Sequence, residues 1–398
     1  MLRISNALMS QTGINAIIEQ QAQVLKTQTQ LAAQKRVLSP EDDPIAAARI
    51  VEFKQALKAV DQFNLNADTA ERRLATSETS LRSASEVVQR VREITILSDN
   101  GTISDNERDI YATELRELRQ AIFNLANTKD ANGEFLFSGF QSSVQPFVMD
   151  GAGQVTYNGD EGQRFLSISD GRQIAVTDTG REIFSRVDTI TSADGVNNTG
   201  TGTVRSVSID DGESYNNQSY TITFTAEDQF NITDSNTGLM LAENQTYVNG
   251  GDPVVFNGLR LEIAGLPNVN DSFQVMPGPK TDIFSAMSTL ISDLENGTDA
   301  AGGPSRLSQR INNTFAAIDQ TLQNLSTTTS SVGSRLNAID SQRAVNESVE
   351  LELEQGLSMN QDLDFNEAIA RFRQQMVALQ AAQQSYASLQ NLLLFNHL

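Results

Sequence analysis

Residues 365–393 read FNEAIARFRQQMVALQAAQQSYASLQNLL. Placed on a helix, Phe365, Ile369, Phe372, Met376, Leu379, Gln383, Tyr386, Gln390 and Leu393 follow one another at steps of four and three, and seven of the nine are apolar. That spacing draws a seam down one side of a helix, and a seam needs a partner. The other end of the chain offers one: Ile17, Val24, Leu31 and Leu38 recur every seven residues. Their companion positions are Ile14, Gln21, Gln28 and Lys35, three of them polar, so this second seam is only half-built. Two ordinary amphipathic helices facing a core would give the same pattern. The sharper reading is a pair of arms that pack together and against neighbouring copies, with Ile17, Val24, Leu31, Leu38, Phe365, Ile369, Phe372, Met376, Leu379, Tyr386 and Leu393 as the assembly seam. Because Gln21, Gln28, Gln383 and Gln390 interrupt the stripes, the arms are expected to stay largely unfolded in an isolated subunit.

Proline and glycine organise the rest. The eight prolines lie at 40, 44, 146, 253, 267, 277, 279 and 304, and 16 of the 25 glycines fall between 150 and 280. Helix breakers are thus concentrated in the middle, between helix-permissive flanks. The predicted fold class is mainly α with a central β region: long antiparallel helices from both chain ends form coiled-coil-like bundles, and an acidic β domain is inserted between them. The expected segments are an N-terminal helical arm, 1–44, packed with a C-terminal arm, 357–398; a helical core built from 45–140 and 281–356; a β segment on that core, 141–190; and an outer β domain, 191–280.

Local signals mark the element ends. Ser39-Pro40-Glu41-Asp42 has the form of a capping box, and Asp43-Pro44 offers a second N-cap with proline at the first helical position. Two start signals so close together predict a joint between arm and core at Ser39, Pro40, Asp42, Asp43 and Pro44. From Ile45 to about Leu97 the pattern reads as one helix of about 80 Å at 1.5 Å per residue, ending at Asp99-Asn100-Gly101. Ser104 with Glu107 predicts the next helix start, and Asn132-Gly133 its end. Helices are expected again over Ile283–Leu294 and from Leu307 to about Gly356, with Val332, Leu336 and Ile339 on one face. Thr221–Thr225 and Leu259–Ile263 alternate as half-buried strands, and Val155-Thr156-Tyr157 reads as a strand entering a turn.

Composition excludes several functions. Against 29 Lys and Arg stand 50 Asp and Glu, a net charge of -21 over 398 residues, which argues against nucleic acid and against a polybasic membrane anchor. Cysteine is absent and the one histidine is His397, next to last, so thiolate chemistry, a rigid Ser-His-Asp triad and the usual zinc ligand sets are not available. The reading is no enzyme, no cofactor and no metal. No apolar run is long enough to span a membrane or to serve as a secretory core near Met1. Asp362-Leu363-Asp364-Phe365-Asn366 imitates an EF-hand start, but Glu367 replaces the turn glycine, and helix capping is the better reading. Gly151-Ala152-Gly153 lacks the third glycine of a phosphate loop, and the paired acids Asp210-Asp211 read as a solvated turn.

Taken in order, five stretches resemble the flagellin family. They are Met1-Leu2-Arg3-Ile4-Ser5 with the Gln-rich heptad after it; Gln34–Ala47, with its Ser-Pro-Glu-Asp-Asp-Pro run; Asn132–Gly139 followed by Tyr157–Phe184; and the ending Tyr386–Leu398. The two prolines at 40 and 44 are similar to the FlgL-type hook–filament junction branch, and filament flagellins usually lack both. The resemblance implies a structural subunit whose terminal helices stack into tubes while the central domain faces solvent. The partners it implies are copies of itself in a ring, the first hook-associated protein below, flagellin above, and a cytoplasmic export chaperone with the flagellar type III export apparatus. It implies an extracellular place on the flagellum. The alternative is a filament flagellin that polymerises on itself.

Overall fold

Asp43 and Pro44 open a helix as their chemistry predicts. The Asp43 carboxylate accepts the Ala46 N–H at 3.0 Å, and Pro44 takes the first helical position, where its missing N–H costs nothing. The resulting helix α2 (Pro44–Ser98) has 55 residues and is matched by α5 (Gly303–Gln361) with 59. The computed structural model describes residues 6–98, 103–185, 190–195, 197–209, 214–250, 252–278, 281–296 and 303–395. The expected turns at Asp99-Asn100-Gly101 and Asp210-Asp211 lie outside these, as does His397. The chain divides into two compact units, Met1–Asn66 with Ser341–Leu398, and Ala67–Asp340. Both divisions fall within α2 and α5, each of which runs through both units.

In the larger unit, the later turns of α2 meet α3 (Asp105–Ala126), α4 (Ile283–Asn296) and the earlier turns of α5. Ile311, Ile318, Leu325, Val332 and Ile339 of α5 recur every seven residues, and all are fully buried, which makes a continuous seam. Across it α2 contributes Leu74, Leu81, Val88 and Val91. Ser104 caps α3 with a full capping box to Glu107. The helix stops at Ala126, six residues before the expected Asn132-Gly133. Asn127 ends it by pairing with Phe147, donating its Nδ2 to the Phe147 carbonyl and accepting the Phe147 N–H, so a strand 20 residues away claims the chain. Asn132-Gly133 instead forms a turn, with Gly133 at φ 81 and the Asp130 carboxylate accepting the N–H groups of Asn132 and Glu134.

Two hairpins cover this helical core, β1 (Phe147–Met149) with β2 (Val155–Tyr157) and β3 (Phe165–Ser169) with β4 (Arg172–Ala175), followed by a short π-helical turn, Arg181–Ser185. Phe147 sits at their centre, 5.2 Å from Tyr157, 5.7 Å from Phe184 and 5.4 Å from Phe284 between ring centroids. The Gly151-Ala152-Gly153 stretch is the β1–β2 turn, tied by the Asp150 carboxylate. Two arginines, Arg73 buried and Arg335 half-buried, bind the hairpin region to the long helices. Arg73 donates to Asp130 at 2.7 Å, to Glu134 at 2.8 Å and to the Phe135 carbonyl. Arg335 forks onto both oxygens of Asp178 at 2.8 and 3.0 Å.

Beyond them lies an antiparallel sandwich. One sheet is ordered β5 (Ile190–Asp194), β12 (Ser272–Pro277), β7 (Tyr220–Ala226), β8 (Gln229–Asp234), β9 (Met240–Thr246), and the other β10 (Val254–Phe256), β11 (Leu259–Ala264), β6 (Thr203–Ile209). Alternate residues of β7, β8, β11 and β12 point inward, so Ile222, Phe224, Phe230, Leu259, Leu261 and Phe273 form a core separate from that of the helices. Asn257 and Gly258, at φ 42 and 75, make the β10–β11 turn that a tight hairpin demands.

Removing Asp178 leaves the largely buried Arg335 guanidinium with only the Ser331 hydroxyl and the Ala175 carbonyl as acceptors. Asp178→Ala is expected to lower unfolding free energy by about 3–5 kcal/mol in chemical denaturation, and adding Arg335→Met to recover most of the loss.

Candidate assembly surface

The smaller unit is built differently from the rest. It contains α1 (Asn6–Ala33), the first turns of α2, the last turns of α5, and α6 (Phe365–Phe395). The α2 and α5 segments run antiparallel. Asn346 donates to Asn64 at 3.0 Å, and Gly356 lies so close to Phe53 that a Cβ there would stand 2.7 Å from the ring. Their shared apolar plug is small: Val37, Ala46 and Ile50, with Ala47 and Leu357 against it.

Helices α1 and α6 pair antiparallel along their length, with Thr27 donating to Gln375 at 2.7 Å and Gly13 facing Tyr386. The row through which they pair differs from the interrupted stripes. On α1 the covered row is Gly13, Ile17, Gln20, Val24, Thr27 and Leu31; on α6 it is Ala368, Phe372, Gln375, Leu379, Ala382 and Tyr386. Both keep steps of four and three, and the polar members Thr27 and Gln375 satisfy each other. The companion positions Ile14, Gln21, Gln28 and Lys35 face outward instead. Gly13 has a specific role, because a Cβ at that position would lie 2.8 Å from the Tyr386 ring.

Of the expected seam residues, Ile17, Val24, Leu31, Phe372, Leu379 and Tyr386 lie in this intrachain interface. Phe365, Ile369 and Met376 are exposed at 40–45%, forming an outward row beside Val377. Leu38 is also exposed, and Val37 takes the buried place, because α1 ends at Ala33 and its helical register does not extend that far. The side chain of Leu393 lies outside those described. On α1, Leu8, Ile18 and Leu25 likewise face outward. Sixteen of the thirty exposed large apolar side chains among the described residues belong to this unit, which holds under a third of the chain. The exposed apolar side chains are thus concentrated on this helical unit.

At the joint, Ser39–Asp42 forms a turn and not a helix start. Its box is half-made: the Asp42 carboxylate accepts the N–H groups of Leu38 at 2.9 Å and Ser39 at 3.0 Å, while the Asp42 N–H goes to the Ser39 carbonyl. Lys26 of α1 stands 2.6 Å from the other Asp42 oxygen. The Lys26 hydrogen bond, then those from Ser39 and Leu38, hold the Asp42 carboxyl down at about 2. The Ala46 N–H and Arg36 lower Asp43 in the same direction. Pro40 lies in the turn and Pro44 starts α2. Asp364, in the apparent EF-hand run, caps α6 by accepting the N–H groups of Asn366 and Glu367. Among the described residues no cluster of three His, Asp or Glu could hold a metal ion, and no helix is long and apolar enough to cross a membrane.

Comparison with known proteins bears on this architecture. Residues 4–142 match the bacterial flagellin N-terminal helical region. Flagellar hook-associated protein 3 of Salmonella typhimurium is 32% identical over 186 residues, which cover 47% of this chain and 58% of that protein. The protein of the same name from Escherichia coli aligns over 99% of both chains at 25% identity. The crystal structure of Xanthomonas campestris FlgL matches at 31% identity with a TM-score of 0.62, over 77% of this chain and 99% of that one. The chain belongs to the FlgL family of flagellar hook-associated proteins. Flagellins match over less: that of Listeria monocytogenes is 29% identical over 107 residues, 37% of its length. FlgL relatives are structural proteins of the flagellum, and the long terminal helices around a central β region are the fold they share with this chain.

The Asp42 cluster gives this FlgL-family joint a defined acid response. A carboxyl held below its ordinary value of 3.8 stabilises the fold fully above that value and loses the contribution as pH falls toward about 2. A nuclear magnetic resonance titration of the Asp42 carboxyl carbon is expected to show a midpoint near 2, and the stability gap between wild type and Asp42→Asn to close over the same window. A midpoint at 3.8 would contradict the cluster.

Proposed function

We propose that this chain is the junction subunit that joins the flagellar hook to the filament, and that it works by adding its paired terminal helices to a ring of identical copies. The observation that carries this reading is the outward apolar row of Phe365, Ile369, Met376 and Val377, set on helices whose own buried core is thin. A surface of this kind remains incomplete in one subunit, and a heterologous contact repeated by rotation completes it as a ring or tube. In this reading the hook-side neighbour is the first hook-associated protein and the filament-side neighbour is flagellin. The subunit leaves the cell through the flagellar type III export apparatus, escorted by a cytoplasmic chaperone that holds an amphipathic terminal helix in a groove. The absence of cysteine suits a chain exported without folding constraints from disulfides.

The second reading is a filament flagellin, supported by the match of residues 4–142 to the helical region of flagellins. The two readings differ in self-addition. A filament subunit accepts its own copy on top without limit, whereas a junction subunit meets different partners above and below. Purified protein added to hook ends is therefore expected to form one limited layer, with light scattering that plateaus. Long filaments of this chain alone would overturn the junction reading and support flagellin.

The outward row can be tested directly. Ile369→Asp with Met376→Asp is expected to leave the thermal transition of the subunit in place, since both side chains are exposed. The same pair should abolish incorporation at hook ends, because each charge buried in an assembled seam costs several kcal/mol. Loss of the thermal transition would show that these residues serve the subunit's own fold.

A further inference from the structure

The chain crosses between arm and body twice in the smaller unit, at 34–43 from α1 to α2 and at 362–364 from α5 to α6. The two crossings are sewn together. The Arg36 N–H donates to the Gln361 carbonyl at 2.8 Å, the Leu363 N–H donates to the Gln34 carbonyl at 3.3 Å, and Lys35 pairs with Asp362 as an antiparallel bridge. Gln34 adopts φ 57, while every other non-glycine residue with positive φ among those described is an asparagine. Asparagine tolerates that region and glutamine does not share its advantage, so backbone strain is concentrated at this crossing. The Lys35 N–H donates to the Gln30 carbonyl at 3.2 Å, which closes α1 in the turn that a glycine usually makes.

One side chain spans the assembly of ends. The Arg36 guanidinium donates through Nη2 to the Asn360 carbonyl in the last turn of α5, at 2.9 Å, and through Nη1 to Asp43, the N-cap of α2, at 3.0 Å. Its own carbonyl accepts Nε2 of Gln30 from α1 at 2.6 Å. We propose that Arg36 is a positioning residue for the assembly surface: it pins the α1–α6 pair to the adjoining ends of α2 and α5, so that the arms keep one direction as a single lever. Without it, the two crossings are linkers about which the helix pair can swing.

The role is directional and not one of bulk stability. Arg36 and Asp43 are both substantially exposed, and ion pairs in such settings add little to unfolding free energy. A planar guanidinium, however, fixes two acceptors at set angles, which a lysine ammonium cannot do. The inference concerns the subunit alone, so its test is independent of which partners the arms meet.

Because the chain has no cysteine, spin labels can be placed freely. Gln21→Cys with Gln55→Cys measures arm against body, and Gln21→Cys with Gln384→Cys measures one arm against the other; all three positions are exposed. In electron–electron double resonance on the full chain, Arg36→Ala is expected to cost the 21–55 distance its narrow peak while the 21–384 peak stays narrow and the melting temperature hardly moves. Arg36→Lys, which retains charge and nearly all of the side-chain length, is expected to behave like the alanine variant. An unchanged 21–55 peak, a wild-type distribution already as broad as the variant's, rescue by lysine, or joint broadening of both distances would each overturn the proposal.

Discussion

The helical part of this molecule depends on segments far apart in the chain lying side by side. The later turns of α2 meet the earlier turns of α5 through rows that repeat every seven residues, and α1 meets α6 although they begin and end the described chain. Closing such long loops carries an entropic cost that grows only slowly with their length. It is offset where the facing rows are continuous and buried, as they are from Ile311 to Ile339. The inserted sandwich can be large because its own strands close on a separate core, Ile222 to Phe273, and ask little of the helices.

The same constraint separates two kinds of packing. Around Phe147 the aromatic rings interlock, and the buried Arg73 and half-buried Arg335 hold their carboxylates. With neither cysteine nor tryptophan available, phenylalanine clusters and forked arginines supply the rigidity of the body. The smaller unit has only a few buried apolar residues in its plug and polar groups within its helix pair. Polar layers in a helical seam lower stability and define register, so Thr27 opposite Gln375 sets how α1 and α6 align. What the unit lacks in core it holds on its outside, in exposed apolar rows.

A subunit of a mechanical joint has to transmit direction as well as bind. The crossings at 34–43 and 362–364 combine a left-handed Gln34, a carboxylate held near pH 2 at Asp42, and the reach of Arg36 to two further elements. None of these contributes a large core. Together they tie the thinly packed α1–α6 pair to the adjoining ends of α2 and α5 within the smaller unit.

The sequence by itself determined the element plan. The capping box at Ser104, the Asp43-Pro44 start, the alternating strands around Ile222 and Leu261, and the helix–β–helix order all rest on hydrogen bonds or periodicities contained within a few residues, so they were legible without a fold. The long terminal helices were legible too, but not the side on which they pair. Steps of four and three fit more than one row of α1 and α6, and only the approach of Tyr386 to Gly13 and of Gln375 to Thr27 selected the covered one. The early end of α3 was decided by Phe147 reaching Asn127, and the burial of Val37 in place of Leu38 by α1 stopping at Ala33. Of the α5 seam, the sequence reading placed Val332, Leu336 and Ile339 on one face, and the packing against α2 extended that row back to Ile311. The bridging role of Arg36 carried no local signal, because Asp43 lies on its own crossing but the Asn360 carbonyl meets it only when the two crossings come together. Tertiary structure alone makes that choice, since no rule of neighbouring residues can specify a contact across more than 300 positions.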